Sequence, residues 1–398
     1  MTILSRFVFN DNEDYMTLIT KTADLNAFCE RAASAPYVTV DTEFVREATY
    51  WPQLCLIQVG LEEEAVAIDP LAEGIDLSSF FELLQNPHVV KVFHSGRQDV
   101  EIFYHLTGKI PAPIFDTQIA AMVCGFGEAV AYDALVQKYA KVSIDKSSRY
   151  THWGQRPLTE KQLTYALGDV IHLRVIYEKL MQKLTEDDRF HWVEDELAIL
   201  KDPATYSVDP YAVWQKIRVR SAKPRMLAIL RELAAWREIT AQHRNVPRVR
   251  VIRDETMLEL AASSPRSAAD LGRMRGISSS FLKGKEGEMI LSLIEKAQSL
   301  PLEDCPPVKK GEDSPPGASS LVEMLRLLLK IKSEKYHVAQ KLIATTSDLE
   351  DIARSATPTT PAVEGWRFEI FGKAALALKE GKIAIGLKNN RIALIPLE

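Results

Sequence analysis

Short apolar runs with the length of buried strands recur in the first 100 residues and are almost absent between residues 209 and 299. They fall at Tyr15–Thr20, Tyr37–Phe44, Leu54–Gly60, Ala65–Asp69 and Val89–His94. The third and fourth runs are close enough to form a hairpin, which places an antiparallel pair in the sheet. Segments with the apolar spacing of helices lie between these runs and after them, so we expect an α/β domain with a mixed sheet.

Helical spacing of apolar residues extends through the rest of the chain. In the first domain, taken as residues 1–206, it predicts helices at Asp24–Ala33, Ser78–Leu84, Asp116–Cys124, Tyr132–Tyr139 and Thr159–Lys183. In the second, taken as residues 207–300, it predicts helices at Lys223–His243, Asp254–Ala262, Ala268–Met274 and Ser280–Ala297. The second domain is therefore expected to be all-α.

A proline-rich stretch separates a third region from these two. Residues 301–318 contain five of the 20 prolines and no aromatic residue, so we interpret residues 301–319 as a linker. In residues 320–398, helical periodicity covers Ser320–Ala344 and Gly365–Lys379. The alternation over Lys382–Pro396, around Asn389 and Asn390, predicts a terminal hairpin.

Charge is unevenly distributed along the chain, whose formal net charge is −5. Residues 1–206 contain 18 basic and 31 acidic residues, whereas residues 207–300 contain 17 basic and 10 acidic ones. An acidic domain beside a basic one is compatible with a nuclease, because metal ions need carboxylates and phosphates need cations. Several of the basic residues, from Lys216 to Arg225 and from Arg244 to Arg253, could form a phosphate-binding stripe or a solubilising surface.

Other classes of protein are disfavoured by composition. No apolar run approaches the roughly 20 residues of a membrane span, and acids stand where a signal peptide would be apolar, so a cytoplasmic protein that does not bind membranes is expected. The four cysteines have no C-x2-C spacing, which disfavours a zinc site or a disulfide framework.

Two acids lie at the end of a strand whose sequence predicts that it is buried. Asp41 and Glu43 lie two residues apart in Tyr37–Phe44, so their side chains share a face. Two carboxylates beside an apolar strand repel each other and lose hydration unless a cation compensates. Oxygen ligands of this kind favour Mg²⁺ or Mn²⁺.

Three further residues could complete such a site. Asp99 follows a short turn after the strand Val89–His94, near the start of a helix. Tyr165 and Asp169 stand four residues apart on a helix and so share one face. Two divalent ions held by such acids can hydrolyse a phosphodiester, although each short motif is weak evidence alone.

These residues, in this order, resemble the DEDDy subgroup of the DEDD 3′–5′ exonucleases and, within it, the ribonuclease D family. The first motif is Val-Asp-Thr-Glu-Phe at residues 40–44, continuing through Thr49–Gln58; the second ends at Asp99; the third is Tyr165–Asp169. Residues 209–297 resemble an HRDC domain, and residues 320–398 a second, divergent HRDC-like domain. The resemblance implies an RNase H-like exonuclease domain with a mixed sheet, followed by all-α HRDC domains.

The resemblance also implies roles for individual residues. Asp41 would bridge two Mg²⁺ or Mn²⁺ ions, Glu43 and Asp169 would complete one site, Asp99 would support the other, and Tyr165 would orient the attacking water. The segment 148–158 implies substrate contacts near Trp153 and Arg156. By contrast, His94, Asp69, Asp116 and Asp133 are interpreted as structural, capping or turn residues.

The favoured hypothesis is a monomeric 3′–5′ exoribonuclease that releases 5′-mononucleotides from RNA with an accessible 3′ end, with transfer RNA precursors suggested by the family. A 3′–5′ DNA exonuclease with the same site is one alternative, because no residue in the sequence identifies a reader of the 2′-hydroxyl. An RNA-binding module with an inert nuclease domain is the other.

Overall fold

A six-stranded mixed sheet forms the centre of the N-terminal domain. The computed structural model describes residues 16–220, 222–278, 284–308 and 315–397, and structural statements refer to these residues. The strands are β1 Met16–Ile19, β2 Tyr37–Val45, β3 Gln53–Gly60, β4 Ala65–Ile68, β5 Val90–Phe93 and β6 Ile114–Asp116. Their spatial order is β1-β4-β3-β2-β5-β6, with β3 and β4 antiparallel and the pairs β1/β4, β2/β5 and β5/β6 parallel. The predicted α/β fold with a mixed sheet is confirmed, and β2 lies inside the sheet.

Helices pack against this sheet. They are α1 Thr22–Ala32, α2 Ser78–Gln85, α3 Arg97–Thr107, α4 Thr117–Val123, α5 Tyr132–Tyr139, α6 Glu160–Glu186 and α7 Phe190–Lys201. Strand β3 is buried at seven of its eight residues, which explains its near-continuous apolar sequence. Strand β6 and helix α7 were not anticipated from the sequence. Tyr15, where the first strand was expected to begin, lies outside the described residues.

The chain divides into two compact units. Of the described residues, those within 16–43, 54–201 and 315–397 belong to the first, and those within 44–53 and 202–308 belong to the second. The second unit contains α8 Pro224–Arg244, α9 Arg248–Val251, α10 Asp254–Ser263, α11 Ala268–Leu271 and α12 Lys285–Ser299. Its core is built from fully buried aliphatic residues such as Leu230, Leu233, Leu260 and Ile290. The predicted helix Ser280–Ala297 begins among residues that the structure does not describe.

A short segment from the N-terminal sequence, residues 44–53, belongs to this helical unit. Its Tyr50 hydroxyl is hydrogen-bonded to the fully buried Glu238 of α8, and Arg248 donates to both, at 3.0 Å to the Tyr50 oxygen and 2.6 Å to Glu238 Oε1. Asn245 Oδ1 accepts from the backbone amides of Tyr50 and Trp51 at 3.1 and 3.0 Å. Because a buried carboxylate must be paired, this network fixes the segment on α8.

The C-terminal region is part of the first unit. It contains α13 Ala318–Tyr336, α14 Gln340–Ile343, α15 Thr346–Arg354, α16 Gly365–Arg367, a π-helical turn at Phe368–Gly372 and α17 Lys373–Lys379. The Trp366 ring stacks on Trp192 of α7, with centroids 4.6 Å apart and planes at 13°. Arg367 forms an ion pair with Glu196 of the same helix. These contacts attach the region to the domain that contains the sheet.

A two-stranded hairpin ends the described chain, as predicted. Strands β7 Ile383–Lys388 and β8 Arg391–Pro396 are antiparallel, and Asn389 and Asn390 both have positive φ angles, 54° and 58°. Two consecutive left-handed residues define a type I′ turn, for which asparagine is favoured. In the described part of the chain, no helix has the length and apolar character required to cross a membrane.

Candidate active site

Asp41 and Glu43 lie on the face of β2 that is turned toward helix α6. Two residues earlier on the same face, the buried Thr39 hydroxyl donates to the Val170 carbonyl of α6 at 2.9 Å. Because alternate side chains of a strand share a face, Thr39 shows which way the two acids point. They face the helix that carries Tyr165 and Asp169.

The close approach of α6 to the sheet depends on Gly60 of β3. A Cβ atom at this position would lie 2.4 Å from Thr39 Oγ1 and 3.2 Å from the Val170 carbonyl oxygen. Both distances are shorter than normal van der Waals contacts, so only glycine fits without a shift of the helix. Gly60 therefore sets the separation between β2 and the part of α6 next to Asp169.

Helix α6 presents Tyr165 and Asp169 together. It begins with a capping box, in which the Thr159 hydroxyl accepts from the Gln162 amide and the Gln162 side chain accepts from the Thr159 amide. One turn later, the Tyr165 phenol lies close enough to the Asp169 carboxylate to lower its pKa. Tyr132 of α5 donates to the Asp169 carbonyl at 2.8 Å. Tyr132 is thus a positioning residue that the sequence did not single out.

Asp99 is brought to the site by a tight turn before α3. Ser95 has a φ of 59°, and the amides of Ser95 and Gly96 donate to the Asp116 carboxylate at 3.1 and 2.8 Å. Asp116 also caps α4, as predicted for a capping acid. At the other end of the turn, the buried Asp99 carboxylate accepts a hydrogen bond from the Thr42 hydroxyl of β2.

Burial, together with neighbouring charges in the case of Asp41 and Glu43, raises the pKa values of the four acids. Burial, followed by the charges of the other three acids, raises the pKa of Asp41 well above its usual range. Burial and the charges of Asp169 and Asp99 raise the pKa of Glu43 to about 9. Burial raises the pKa of Asp169 to about 7 and that of Asp99 to about 6. The structure therefore brings together the acids that the sequence singled out.

Such a set of carboxylates fits hard divalent cations. Carboxylate oxygens are the preferred ligands of Mg²⁺ and Mn²⁺, and a cation would offset the burial that raises the pKa values of these acids and the repulsion that acts on Asp41 and Glu43. As the side chains stand, no three His, Cys, Asp or Glu residues in the described ranges are already arranged to hold an ion. One oxygen of Asp99 is directed to Thr42 instead. The chemistry of the donors fits a metal site, and the carboxylates would have to move toward an ion.

Arg149 is a cation near this acidic cluster that sequence reasoning did not select. Its charge lowers the pKa values of Glu43, Asp169 and Tyr165, although burial dominates the pKa of all three. Arg149 follows a short 3₁₀ turn at residues 146–148 and has an exposed side chain. The only sequence signal for it was its place in the motif-like segment 148–158.

Trp153 and Arg156, predicted to contact substrate, are placed within the fold. Trp153 is buried, and its ring centroid lies 6.2 Å from that of Tyr165. Arg156 donates through both sides of its guanidinium to the Asp69 carboxylate, at 2.6 and 2.7 Å, and its other N–H groups reach backbone carbonyls, including that of Cys55 at 2.6 Å. We therefore expect both residues to support the site indirectly, with Trp153 packed beside Tyr165.

The residues interpreted as structural have structural contacts. Asp69 holds Arg156, Asp133 forms a 2.7 Å ion pair with Lys146, and the Nδ1 atom of His94 lies 2.9 Å from the Thr117 hydroxyl. Of the basic residues considered for phosphate binding, three have protein partners: Arg225 binds backbone carbonyls, Arg244 pairs with Glu286 and Arg248 pairs with Glu238. The other six are exposed: Lys216, Arg218, Arg220, Lys223, Arg250 and Arg253.

Comparison with known proteins agrees with this architecture. A family profile described as 3′–5′ exonuclease matches residues 16–185, and an HRDC domain profile matches residues 226–294. Ribonuclease D of Granulibacter bethesdensis is 47% identical over 380 residues, which are 95% of this chain and 96% of that protein. Ribonuclease D of Jannaschia sp. is 48% identical over 381 residues, covering 95% of this chain and 98% of the relative.

Among solved structures, that of Escherichia coli RNase D is similar, with a TM-score of 0.80 and 32% identity, covering 92% of this chain and 99% of that one. The fold and the matched domains define a 3′–5′ exonuclease that carries an HRDC domain. With whole-length relatives at this level of identity, the chain belongs to the ribonuclease D family of 3′–5′ exoribonucleases.

Proposed function

We propose that this chain shortens RNA from its 3′ end, one nucleotide at a time, by metal-dependent hydrolysis that releases 5′-mononucleotides. The observation that carries the proposal is the gathering of Asp41, Glu43, Asp99 and Asp169 at one place, with the Tyr165 phenol beside Asp169. In each turnover a water oxygen bonds to the terminal phosphorus and the bond from phosphorus to the 3′ oxygen of the preceding nucleotide breaks. That oxygen takes a proton, so the products are a nucleoside 5′-monophosphate and an RNA with a new 3′-hydroxyl.

The four carboxylates would hold two Mg²⁺ or Mn²⁺ ions. When bound, such ions lower the pKa of a coordinated water and stabilise negative charge on the phosphate and on the leaving oxygen. By its resemblance to the family, Asp41 would contribute to both sites, and the charges of all three other acids act on its carboxylate. Glu43 and Asp169 would complete one site and Asp99 would support the other.

Tyr165 is proposed to orient the attacking water. Burial and the charges of Asp169, Glu43 and Asp41 raise the pKa of the Tyr165 phenol, so it keeps its proton across the neutral range. A neutral phenol can donate one hydrogen bond and accept another. The phenol lies at the edge of the acidic cluster, where it acts on the Asp169 carboxylate.

We propose RNA as the substrate, supported by the family, and transfer RNA precursors as a physiological target. The E. coli relative is described as an exoribonuclease involved in structured RNA processing. A monomeric state, a cytoplasmic location and the assignment of residues 320–398 as a second HRDC-like domain are also part of this proposal.

A cleavage assay tests the proposal directly. Purified protein with Mg²⁺ or Mn²⁺ should shorten a 5′-labelled single-stranded RNA in one-nucleotide steps and should release 5′-mononucleotides. Asp41→Asn should abolish this activity while the circular dichroism spectrum is unchanged. Asp133→Asn is the matched control, because this acid pairs with Lys146 outside the cluster, and it should retain activity.

Three outcomes would contradict the proposal. Full activity of Asp41→Asn would exclude the assigned site. Faster degradation of a DNA oligonucleotide of the same sequence would favour a DNA exonuclease. RNA binding in EDTA without turnover on addition of either metal would indicate an inert nuclease domain.

A further inference from the structure

The segment between the 3₁₀ turn and α6 is fastened beside the active site. The Thr151 hydroxyl donates to the Ser148 carbonyl at 2.8 Å and accepts from Gln162 Nε2 of α6 at 3.2 Å. Ser148 is buried, and Trp153 packs beside Tyr165. Both ends of the peptide 149–150 are therefore held against the helix that carries two of the active-site residues.

Tyr150, in the middle of this fastened segment, is the most exposed of the large apolar side chains, at 88% of its full accessibility, among the described residues. Its ring packs against its neighbour Arg149, whose guanidinium carbon lies 5.4 Å from the ring centroid. An exposed aromatic ring on a well-anchored backbone is available to a planar ligand at little cost in ordering entropy. Exposed tyrosines also occur in loops that bind nothing, so a binding role for Tyr150 needs a second observation.

The chemistry of Arg149 supplies the second observation. The Arg149 guanidinium makes no hydrogen bond or ion pair with any of the described residues. By contrast, all the N–H groups of nearby Arg156 are hydrogen-bonded within the fold. Yet the charge of Arg149 acts on Glu43, Asp169 and Tyr165. A cation with unused donors, placed beside acids that hold metal ions, is suited to a phosphate oxygen.

We propose that Arg149 and Tyr150 form the substrate-binding side of the active site, where Tyr150 stacks on a base of the RNA 3′ end and Arg149 binds an adjacent phosphate. This inference rests on the proposed function. Stacking on an aromatic ring does not depend on which base is present, because every base has a π-face. The pair would thus favour an unpaired 3′ end over a base-paired one, without selecting its sequence.

Binding can be measured apart from hydrolysis. In the Asp41→Asn background, fluorescence anisotropy with a labelled single-stranded RNA in EDTA reports affinity alone. Tyr150→Ala should raise the Kd about tenfold, the scale of one lost base stack. Tyr150→Trp should restore affinity because indole also stacks. Tyr211→Ala, which removes an exposed tyrosine of the helical unit, should leave the Kd unchanged.

An RNA whose 3′-terminal nucleotides lack bases identifies the stacking partner. If Tyr150 stacks on a terminal base, wild-type affinity for this RNA is already reduced, and Tyr150→Ala causes no further loss.

For Arg149→Gln we expect a tenfold or larger rise in KM and a flatter dependence of log Kd on log salt, by about one unit of slope, because one phosphate contact is lost. Arg149→Lys should recover the salt dependence in part.

The inference would be overturned if Tyr150→Ala weakened binding of base-containing and base-free RNA equally, or did not weaken either. An unchanged salt dependence in Arg149→Gln would overturn the role given to Arg149. Failure of the proposed function is recognised separately, because it would appear as absence of RNA hydrolysis by the wild-type protein with metal.

Discussion

Substitution of Gly60 by alanine would test how the active site is assembled. The new methyl group would lie 2.4 Å from Thr39 Oγ1 and 3.2 Å from the Val170 carbonyl oxygen. Neither neighbour can give way easily, since Thr39 is fully buried on β2 and Val170 is held in the backbone of α6. We therefore expect the helix to move away from the strand and to carry Asp169 with it.

The magnitude can be worked from these contacts. A methyl group inserted into a packed core costs about 1–3 kcal/mol, and loss of the buried hydrogen bond from Thr39 to Val170 adds about 1–3 kcal/mol. A total near 3 kcal/mol corresponds to a fall in Tm of roughly 6–12 °C for a domain of this size. A shift of about 1 Å in a metal ligand can lower kcat by roughly 100-fold.

The assay compares Gly60→Ala with a matched substitution nearby. Gly168→Ala adds the same methyl group to α6, next to Asp169, where a Cβ atom would meet nothing within 4 Å. Alanine is favoured over glycine in a helix by about 1 kcal/mol, so this variant should have a higher Tm and an unchanged kcat. Calorimetry gives the Tm values, and RNA cleavage at saturating metal gives kcat.

Removal of the Thr39 oxygen provides the critical check. Thr39→Ala combined with Gly60→Ala eliminates the closest contact, so the double variant should recover part of the lost stability. If the double variant is no more stable than Gly60→Ala, or if Gly60→Ala alone has the Tm and kcat of the wild type, the proposed control of spacing is wrong.

Three further predictions concern protonation and packing. Raised pKa values, up to about 9 for Glu43, mean that the folded protein without metal binds protons more tightly than the unfolded chain does. The contribution of these carboxyl groups to stability in EDTA should therefore be greatest below about pH 4 and should fall as the pH rises toward 9. Asp41→Asn should flatten a plot of Tm against pH, and an unchanged plot would contradict this. Trp366→Ala should destabilise the first unit by about 3–5 kcal/mol through loss of the aromatic stack, measured by urea unfolding, and an effect below 1 kcal/mol would show that the C-terminal region is not attached as described. Arg248→Met should cost about 3–5 kcal/mol in the second unit, because it leaves Glu238 buried with an unpaired charge, and Glu238→Gln in the same chain should recover stability unless the pair is unimportant.

The parts of the site that follow local periodicity were predictable from sequence. Spacing by two on a strand and by four on a helix put Asp41 with Glu43 and Tyr165 with Asp169, and the structure gathers them with Asp99. Strand β6, at three residues, is too short to produce a periodic signal.

Contacts between residues distant in sequence could not be predicted. The Tyr132 hydroxyl reaches the Asp169 carbonyl across 37 residues, and nothing in the sequence around Tyr132 distinguishes it from other half-buried tyrosines. Arg149 gains its importance only from the acids it faces in three dimensions. In the same way, charge pattern suggested Arg248 as a phosphate ligand, although it is hydrogen-bonded to a buried glutamate.

The attachment of Tyr50 and its neighbours to α8 bears on how fragments of this enzyme should be made. Residues 44–53, directly after Glu43, belong to the helical unit, and the Tyr50 hydroxyl has its buried partner, Glu238, 188 residues downstream. A gene encoding only residues 1–201 would leave residues 44–53 without helix α8, to which Tyr50 and its neighbours bind. These residues directly follow Asp41 and Glu43 on the strand. Loss of activity in such a fragment could then reflect a misplaced strand end and not a missing RNA-binding module.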